Sequence, residues 1–216
     1  MPDLFDEVQE DLRAERMRKL LARYGGLLAG LALLVVLGAA GLQGWRWWQD
    51  RQAMQAATAF LATVQAAAAP GADDRAVAER FAALAATAPP GYATLARLRA
   101  AALRAEAGDR EAALALWDAI ARDPGVEPLY RSLATLLWGL HALDGGDPAA
   151  VEARLAPLAT EGGAWRYSAE EVRALAAIRR GATEEARRSL AALAGDQSAP
   201  EGVRQRAGRL LAGLGG

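Results

Sequence analysis

The sequence contains no cysteine, no asparagine and a single histidine, His141. The absence of cysteine excludes disulfides, thiol catalysis and thiolate metal sites, and one histidine cannot supply a histidine pair as metal ligands. The net charge is −1, without a long basic block, so the electrostatic pattern of a nucleic-acid-binding protein is missing. These absences predict no cofactor, no metal, no nucleic-acid partner and no small-molecule substrate. We interpret His141 as a surface or hydrogen-bonded histidine without a functional role.

Residues that favour β-strands are also scarce. The 216 residues include 55 alanines but only two isoleucines, nine valines and seven threonines. Alanine is the best helix former, whereas β-branched residues fit a pleated sheet. The composition therefore predicts an all-α protein.

One long segment carries no charge. Arg23 and Arg46 bracket 22 residues, 24–45, which form about 33 Å of helix, enough to cross a hydrocarbon core of about 30 Å. A cleaved signal peptide is the competing interpretation, because small residues stand at 38–41. However, 23 residues precede the apolar run and they begin with acids rather than bases, which favours an uncleaved anchor in the lipid bilayer.

The flanks of this span predict its direction. Basic residues before the span exceed those after it, which places the N-terminus in the cytoplasm. The exit is rich in tryptophan, a residue that anchors helices at the headgroup level. The basic flank consists of Arg13, Arg16, Arg18, Lys19 and Arg23, and the interface anchor of Trp45, Arg46, Trp47 and Trp48.

Two further features of the N-terminal part have open interpretations. Gly26 and Gly30 form a small-xxx-small pair that would let a second helix approach, as in a homo-oligomer, although glycine is common in spanning helices anyway. The arm 1–23 places Phe5, Val8 and Leu12 on one helical face. This arm is either a solvated lead-in to the span or a docking helix for a cytoplasmic partner.

Beyond the span, turn residues recur at regular intervals. Gly108, Gly146 and Gly181 mark bends 38 and 35 residues apart, each between two segments of helical pattern. Turn and capping residues, among them Asp73-Asp74 as the cap of the second helix, predict helices at about 45–69, 74–87, 92–107, 110–122, 126–143, 148–160, 169–179, 183–194 and 200–214. A period near 34 built from two antiparallel helices is typical of tetratricopeptide repeats. The helix after each bend carries apolar residues at matching offsets, which are Ala112, Leu116 and Ala119, then Val151, Leu155 and Leu158, then Ala186, Leu190 and Leu193. Either Trp117 or Leu116 is expected at the large-residue position of the repeat.

Aromatic residues are the candidates for partner binding in this region. Tyr92, Tyr130 and Trp138 lie on the first helices of the hairpins and either line a groove or belong to the core. Trp165, Arg166 and Tyr167 follow a glycine pair; they are either an interface hot spot or a wedge between hairpins.

The segment Gly44-Trp45-Arg46-Trp47-Trp48 after a glycine-rich span resembles the YfgM-like family, the ancillary subunits of the SecYEG translocon. The similarity extends to the acidic arm, a Tyr-Ala-Thr-Leu-Ala element at 92–96, a Gly-Ala-Trp turn at 163–165 and a closing helix after Pro200. The resemblance implies association with the Sec translocase and with periplasmic chaperones that receive exported chains.

Together these observations predict a cytoplasmic arm (1–23), one transmembrane helix (24–45) and a periplasmic tetratricopeptide-like domain (46–216) in a bacterial inner membrane. The expected function is a protein-binding scaffold for exported proteins, and the alternative is a scaffold for assembly of another envelope or respiratory complex. An enzyme is disfavoured: adjacent carboxylates such as Glu170 and Glu171 do not face one another on a helix, whereas acid–base catalysis needs convergent groups.

Overall fold

The computed structural model describes the backbone of residues 3–215 and the side chains of residues 22–215. Within the described backbone the chain forms nine α-helices, one 3₁₀ turn and no strand, which confirms the all-α prediction. The helices are α1 (Asp3–Ala67), α2 (Asp74–Thr87), α3 (Pro90–Glu106), α4 (Arg110–Arg122), α5 (Pro128–Ala142), α6 (Pro148–Leu155), α7 (Arg166–Arg179), α8 (Thr183–Gly195) and α9 (Glu201–Gly213), with the 3₁₀ turn at Ala156–Leu158.

The chain divides into two compact units, Met1–Gln52 and Ala53–Gly216. The described backbone of the first unit, residues 3–52, belongs to α1. Among the described residues, one helical stretch, which begins at Ala22, is long and apolar enough to span a membrane, and its most apolar window has a mean hydropathy of 2.2 with none of it buried within the protein. The leucine and valine side chains of residues 24–45 are all exposed, as a lipid-facing helix requires.

In the second unit, local sequence signals determine where helices begin and turn. The carboxylates of Asp73, Asp109 and Asp147 accept hydrogen bonds from the first free backbone N–H groups of α2, α4 and α6. Gly108 and Gly181 have φ of +79° and +83°, which favours glycine at these two bends. The predicted hairpins are therefore confirmed at α3–α4, α5–α6 and α7–α8.

The core of the second unit is a series of clusters, each shared by neighbouring helices. The first joins the end of α1 to α2 and α3 around Phe81, and the next joins α3, α4 and α5 around Trp117. The third joins α5, α6 and α7 around Leu155, and the last joins α7, α8 and α9 around Leu190. Each hairpin buries its apolar face against the next one, which is the packing of a helical-repeat solenoid.

Polar contacts between hairpins have the same period as the fold. Arg154 pairs with Asp118 at 2.6 Å, 36 residues earlier, and Arg179 pairs with Asp144 at 3.0 Å, 35 residues earlier. The separation equals one repeat, so these ion pairs connect equivalent positions of successive hairpins.

The apolar set predicted for α4 was wrong by one residue, and Trp117 rather than Leu116 is the buried large residue. Ala112 and Leu116 are half-buried and Ala119 is exposed, whereas Ala113, Trp117 and Ile120 are fully buried. The correct residues lie 5, 9 and 12 positions after Gly108, and Val151, Leu155 and Leu158 and then Ala186, Leu190 and Leu193 stand at the same offsets from their glycines. Five of those six are buried and Leu158 is half-buried, so the corrected repeat is more regular than the predicted one.

Three predicted helix boundaries also need correction. The helix expected over 148–160 ends at Leu155 and continues only as a 3₁₀ turn, because Pro157 lacks the N–H that would continue the α-helical hydrogen bonds. The following helix begins at Arg166 rather than at Ala169, as its backbone bonds start directly after Trp165. The helix expected to end at Ala69 ends at Ala67.

Gly139 permits the closest approach between α5 and α6. A Cβ atom at this position would lie 2.8 Å from Cδ1 of Leu155, whose side chain is fully buried. We expect Gly139→Ala to lower the free energy of unfolding by about 1 kcal/mol, because overpacking exceeds the gain in helix propensity. Gly208, inside α9, has open space around it, so Gly208→Ala should raise stability by up to about 1 kcal/mol. Denaturation of both variants tests this, and an equal gain in both would contradict the close approach.

Candidate functional site

The odd-numbered helices of the second unit form an inner row. α3 contacts α5, α5 contacts α7, and α7 contacts α9, in addition to the contacts within and between adjacent hairpins. The even-numbered helices α2, α4, α6 and α8 form the other layer. The face presented by α5, α7 and α9 is therefore a surface on which side chains from three different helices converge.

This face contains an open groove of about 600 Å³. Each helix contributes residues at helical spacing, so each presents one stripe to the groove. The lining residues are Leu136, Leu137 and Leu140 from α5, Ser168, Glu171, Val172 and Leu175 from α7, and Arg206, Arg209 and Leu210 from α9. We call this set the α5–α7–α9 groove.

The floor of the groove is apolar and its edge is accessible. Leu136 and Val172 are buried, whereas Leu140 is 42% exposed. In the second unit the large hydrophobic side chains with comparable exposure are Leu61 and Met54 on α1 and Leu129, at the opposite end of α5. Exposed leucine next to a buried apolar floor is a feature of surfaces that bind other molecules.

An ion pair between Glu171 and Arg206 lies at one side of the groove. Glu171 is buried, and its Oε1 and Oε2 accept hydrogen bonds from Nε and Nη2 of Arg206, both at 2.7 Å. This two-point geometry is the strongest that arginine and a carboxylate can form. The hydrogen bond to Glu171 raises the pKa of Arg206 above its ordinary value. Because the carboxylate is occupied at both oxygens, Glu171 positions Arg206 and leaves the pair with no net charge.

Arg209 is the third charged residue of the groove. It lies one turn after Arg206 on α9 and is exposed. Among the described residues, it forms no ion pair with a carboxylate. The groove therefore carries a net charge of +1, located at its α9 side.

The predicted aromatic residues of the first helices lie outside this groove. Tyr92 is half-buried, with its ring 6.2 Å from that of Phe60. Tyr130 packs at the edge of the Trp117 cluster, and Trp138 packs between that cluster and the next. The guanidinium of Arg154 lies 4.0 Å from the centre of the Trp138 ring. All of them contribute to packing between hairpins.

The structure gives a different set of contacts to each of Trp165, Arg166 and Tyr167. Trp165 donates a hydrogen bond from Nε1 to the carbonyl oxygen of Leu129 at 3.1 Å, which links α7 to the start of α5. Arg166 pairs with Glu170 at 3.0 Å and lies over the Tyr167 ring, and Tyr167 packs against the last cluster. Trp165 also lines a smaller apolar pocket of about 320 Å³ with Leu129. The contacts are those of a wedge between hairpins.

In the first unit, Trp45, Trp47 and Trp48 are all exposed, and the rings of Trp45 and Trp48 are 5.3 Å apart. Gly26 and Gly30 have no neighbouring atom within 4 Å of an added Cβ, so that side of α1 is open. Arg23 lies beside the Tyr24 ring. The other members of the basic flank, Arg13, Arg16, Arg18 and Lys19, have side chains outside the described residues.

The α5–α7–α9 groove was not predicted from the sequence. Glu170 and Glu171 are adjacent acids in the sequence, and the structure places them in separate ion pairs, with Arg166 and Arg206. The available signal was the spacing of Glu171 and Arg206, 35 residues, which is one repeat period. Equivalent positions of neighbouring hairpins meet in a solenoid, so the pair was accessible from the period alone.

The fold and the groove define a helical-hairpin repeat protein with an open, largely apolar surface on its inner row of helices. Comparison with known families gives the same class. A family model described as a tetratricopeptide repeat-like domain matches residues 18–207. The chain therefore belongs to the tetratricopeptide repeat-like domain family. No curated protein and no solved structure shows a significant match to it.

Proposed function

We propose that this chain is a membrane-anchored scaffold that binds polypeptides beside the Sec translocase and assists exported proteins without chemistry of its own. The observation that carries the proposal is the α5–α7–α9 groove. Tetratricopeptide-like domains generally mediate protein–protein contacts, and stacked hairpins present an extended surface for this purpose. An apolar groove with an exposed leucine edge suits an apolar segment of another polypeptide.

The membrane part of the proposal rests on the apolar stretch of α1 and its flanks. We assign residues 1–23 to the cytoplasm, 24–45 to the bilayer and 46–216 to the periplasm, since basic residues accumulate before the span. Trp45, Trp47 and Trp48, with Arg46, are assigned to the headgroup level. In spheroplasts an external protease should remove the repeat domain, and full protection of that domain would contradict this orientation.

The Sec assignment is supported by the resemblance of the Gly-Trp-Arg-Trp-Trp exit to the translocon-associated family. The partners would be the translocon, a periplasmic chaperone or the exported chains themselves. Gly26 and Gly30, on an open side of α1, are the proposed contact with a neighbouring spanning helix.

A matched pair of exposed leucines on α5 tests the groove. We expect Leu140→Ser to reduce recovery of bound protein partners severalfold in mild detergent, because it removes the apolar edge of the groove. Leu129→Ser is the control: Leu129 is 47% exposed, on the same helix, and outside the groove. Both variants should remain folded, since neither side chain is buried.

The identity of the recovered partners distinguishes the candidate functions. Co-purification of the translocon or of exported chains supports the proposal. Recovery of only envelope or respiratory assembly factors would replace it with the alternative scaffold. Equal losses for Leu140→Ser and Leu129→Ser would contradict the role of the groove.

A further inference from the structure

We propose that the occupant of the α5–α7–α9 groove is an amphipathic helical segment of a protein partner in which an acidic residue flanks the apolar stripe. This inference rests on the proposed function, because it specifies the chemistry of the polypeptide that the groove binds.

The charged residues of the groove leave one arginine available to a ligand. Glu171, Arg206 and Arg209 are its three ionisable residues. Glu171 and Arg206 neutralise one another through two hydrogen bonds, so neither is available to a ligand as a net charge. Arg209 remains, and an arginine next to an apolar surface interacts with a carboxylate more strongly than one in bulk water.

The apolar floor of the groove and Arg209 lie on different helices. Leu136, Leu137 and Leu140 run along α5, and Val172 and Leu175 run along α7, so the apolar floor lies between two helices. Arg209 belongs to α9, at the side of that floor. A ligand that fills the floor with leucine-like side chains therefore brings the residue beside its stripe close to Arg209. A helix with apolar residues at i, i+3, i+4 and i+7 has this arrangement.

The experiment measures binding of fluorescently labelled amphipathic peptides to the full chain in nanodiscs of neutral lipid. The peptides share one leucine stripe and differ at one flanking position, which is Glu, Gln or Lys. Wild type should bind the Glu peptide about two- to fivefold more tightly than the Gln peptide, and the Lys peptide most weakly.

Reversal of the charge at Arg209 gives the decisive comparison. In Arg209→Glu the groove carries a net charge of −1, so the order of the peptides should reverse and the Lys peptide should bind most tightly. Arg188→Glu is the matched control, because Arg188 is an exposed arginine on α8 outside the groove. That variant should keep the wild-type order.

The outcomes separate this inference from the proposed function. If all three peptides bind equally to wild type and to Arg209→Glu, the acidic preference is wrong while the groove remains a docking site. If wild type binds none of the peptides, the proposed function fails as well. If instead the chain self-associates through Arg209 and the dimer excludes the peptides, the occupant is a second copy and the inference is overturned.

Discussion

Replacing Trp117 with alanine is expected to lower the free energy of unfolding of the repeat domain by about 3–5 kcal/mol. Trp117 is fully buried in the cluster shared by α3, α4 and α5, and its ring stacks on that of His141 at 4.6 Å. The cavity would lie between two hairpins, so the loss affects the junction on which the stacking depends. Domains are stable by about 5–15 kcal/mol, and the variant should therefore be close to unfolding at physiological temperature.

Trp117→Phe is the control for this variant. The indole Nε1 of Trp117 is buried without a hydrogen-bond partner among the described residues, so phenylalanine removes an unsatisfied donor while it retains most of the apolar volume. Denaturation followed by circular dichroism should show a loss of about 1 kcal/mol or less for Trp117→Phe. Wild-type stability in the alanine variant would contradict the position of Trp117 in the core.

His141, the single histidine, belongs to the same junction. Burial against Trp117 lowers the pKa of His141 below its ordinary value, an effect that nearby Asp144 partly opposes. His141 is half-buried, and its ring covers one face of the Trp117 indole at the junction of α4 and α5.

The second large effect concerns the proposed membrane span. Leu34 and Val35 lie at the centre of residues 24–45, and both are exposed on α1. Replacing both with arginine adds about 5–7 kcal/mol to the cost of insertion, since each arginine at the centre of a span costs about 2.5–3.5 kcal/mol. We expect the wild-type chain to resist carbonate extraction and the double variant to enter the soluble fraction.

Two other residues of α1 provide the control. Met54 and Leu61 are exposed apolar residues of the same helix, but they lie after the tryptophan-rich exit. Replacing both with arginine should leave the chain in the membrane fraction. Extraction of the wild-type chain by carbonate would contradict the anchor.

The elements of the fold could be predicted well because local signals are strong at their ends. The predicted bounds of α4, Arg110–Arg122, match the structure, and Asp73 caps α2 as expected. Capping residues and glycines with positive φ act through the backbone nearby, so they can be read without knowledge of the tertiary structure.

The orientation of α4 was harder to predict because its sequence is rich in alanine. Alanine occurs on both the buried and the exposed face, and Leu116 and Trp117 are adjacent apolar residues. Hydrophobic periodicity alone does not distinguish which of the two points inward. Packing against α5 decides it, since Trp117 is the residue that stacks on His141.

The candidate site depends still more on tertiary structure. The α5–α7–α9 groove combines side chains from three helices. Its first and last lining residues, Leu136 and Leu210, are more than 60 residues apart in the sequence. Large aromatic residues are enriched at binding hot spots, but they also pack well in the spaces between hairpins. Leu140 and Arg209 have no distinguishing pattern in the sequence, and their importance comes from what the fold places next to them.

We expect the α5–α7–α9 groove to contact other polypeptides at the membrane, and crosslinking in cells measures such contacts. A photoreactive amino acid replaces Leu140 in one strain and Leu129 in another, and the crosslinked partners are identified by mass spectrometry. Position 140 should yield exported chains, chaperones or translocon subunits, and position 129 should yield few of them. An absence of protein crosslinks from position 140, or the same partners in equal amounts from both positions, would show that the groove does not bind them.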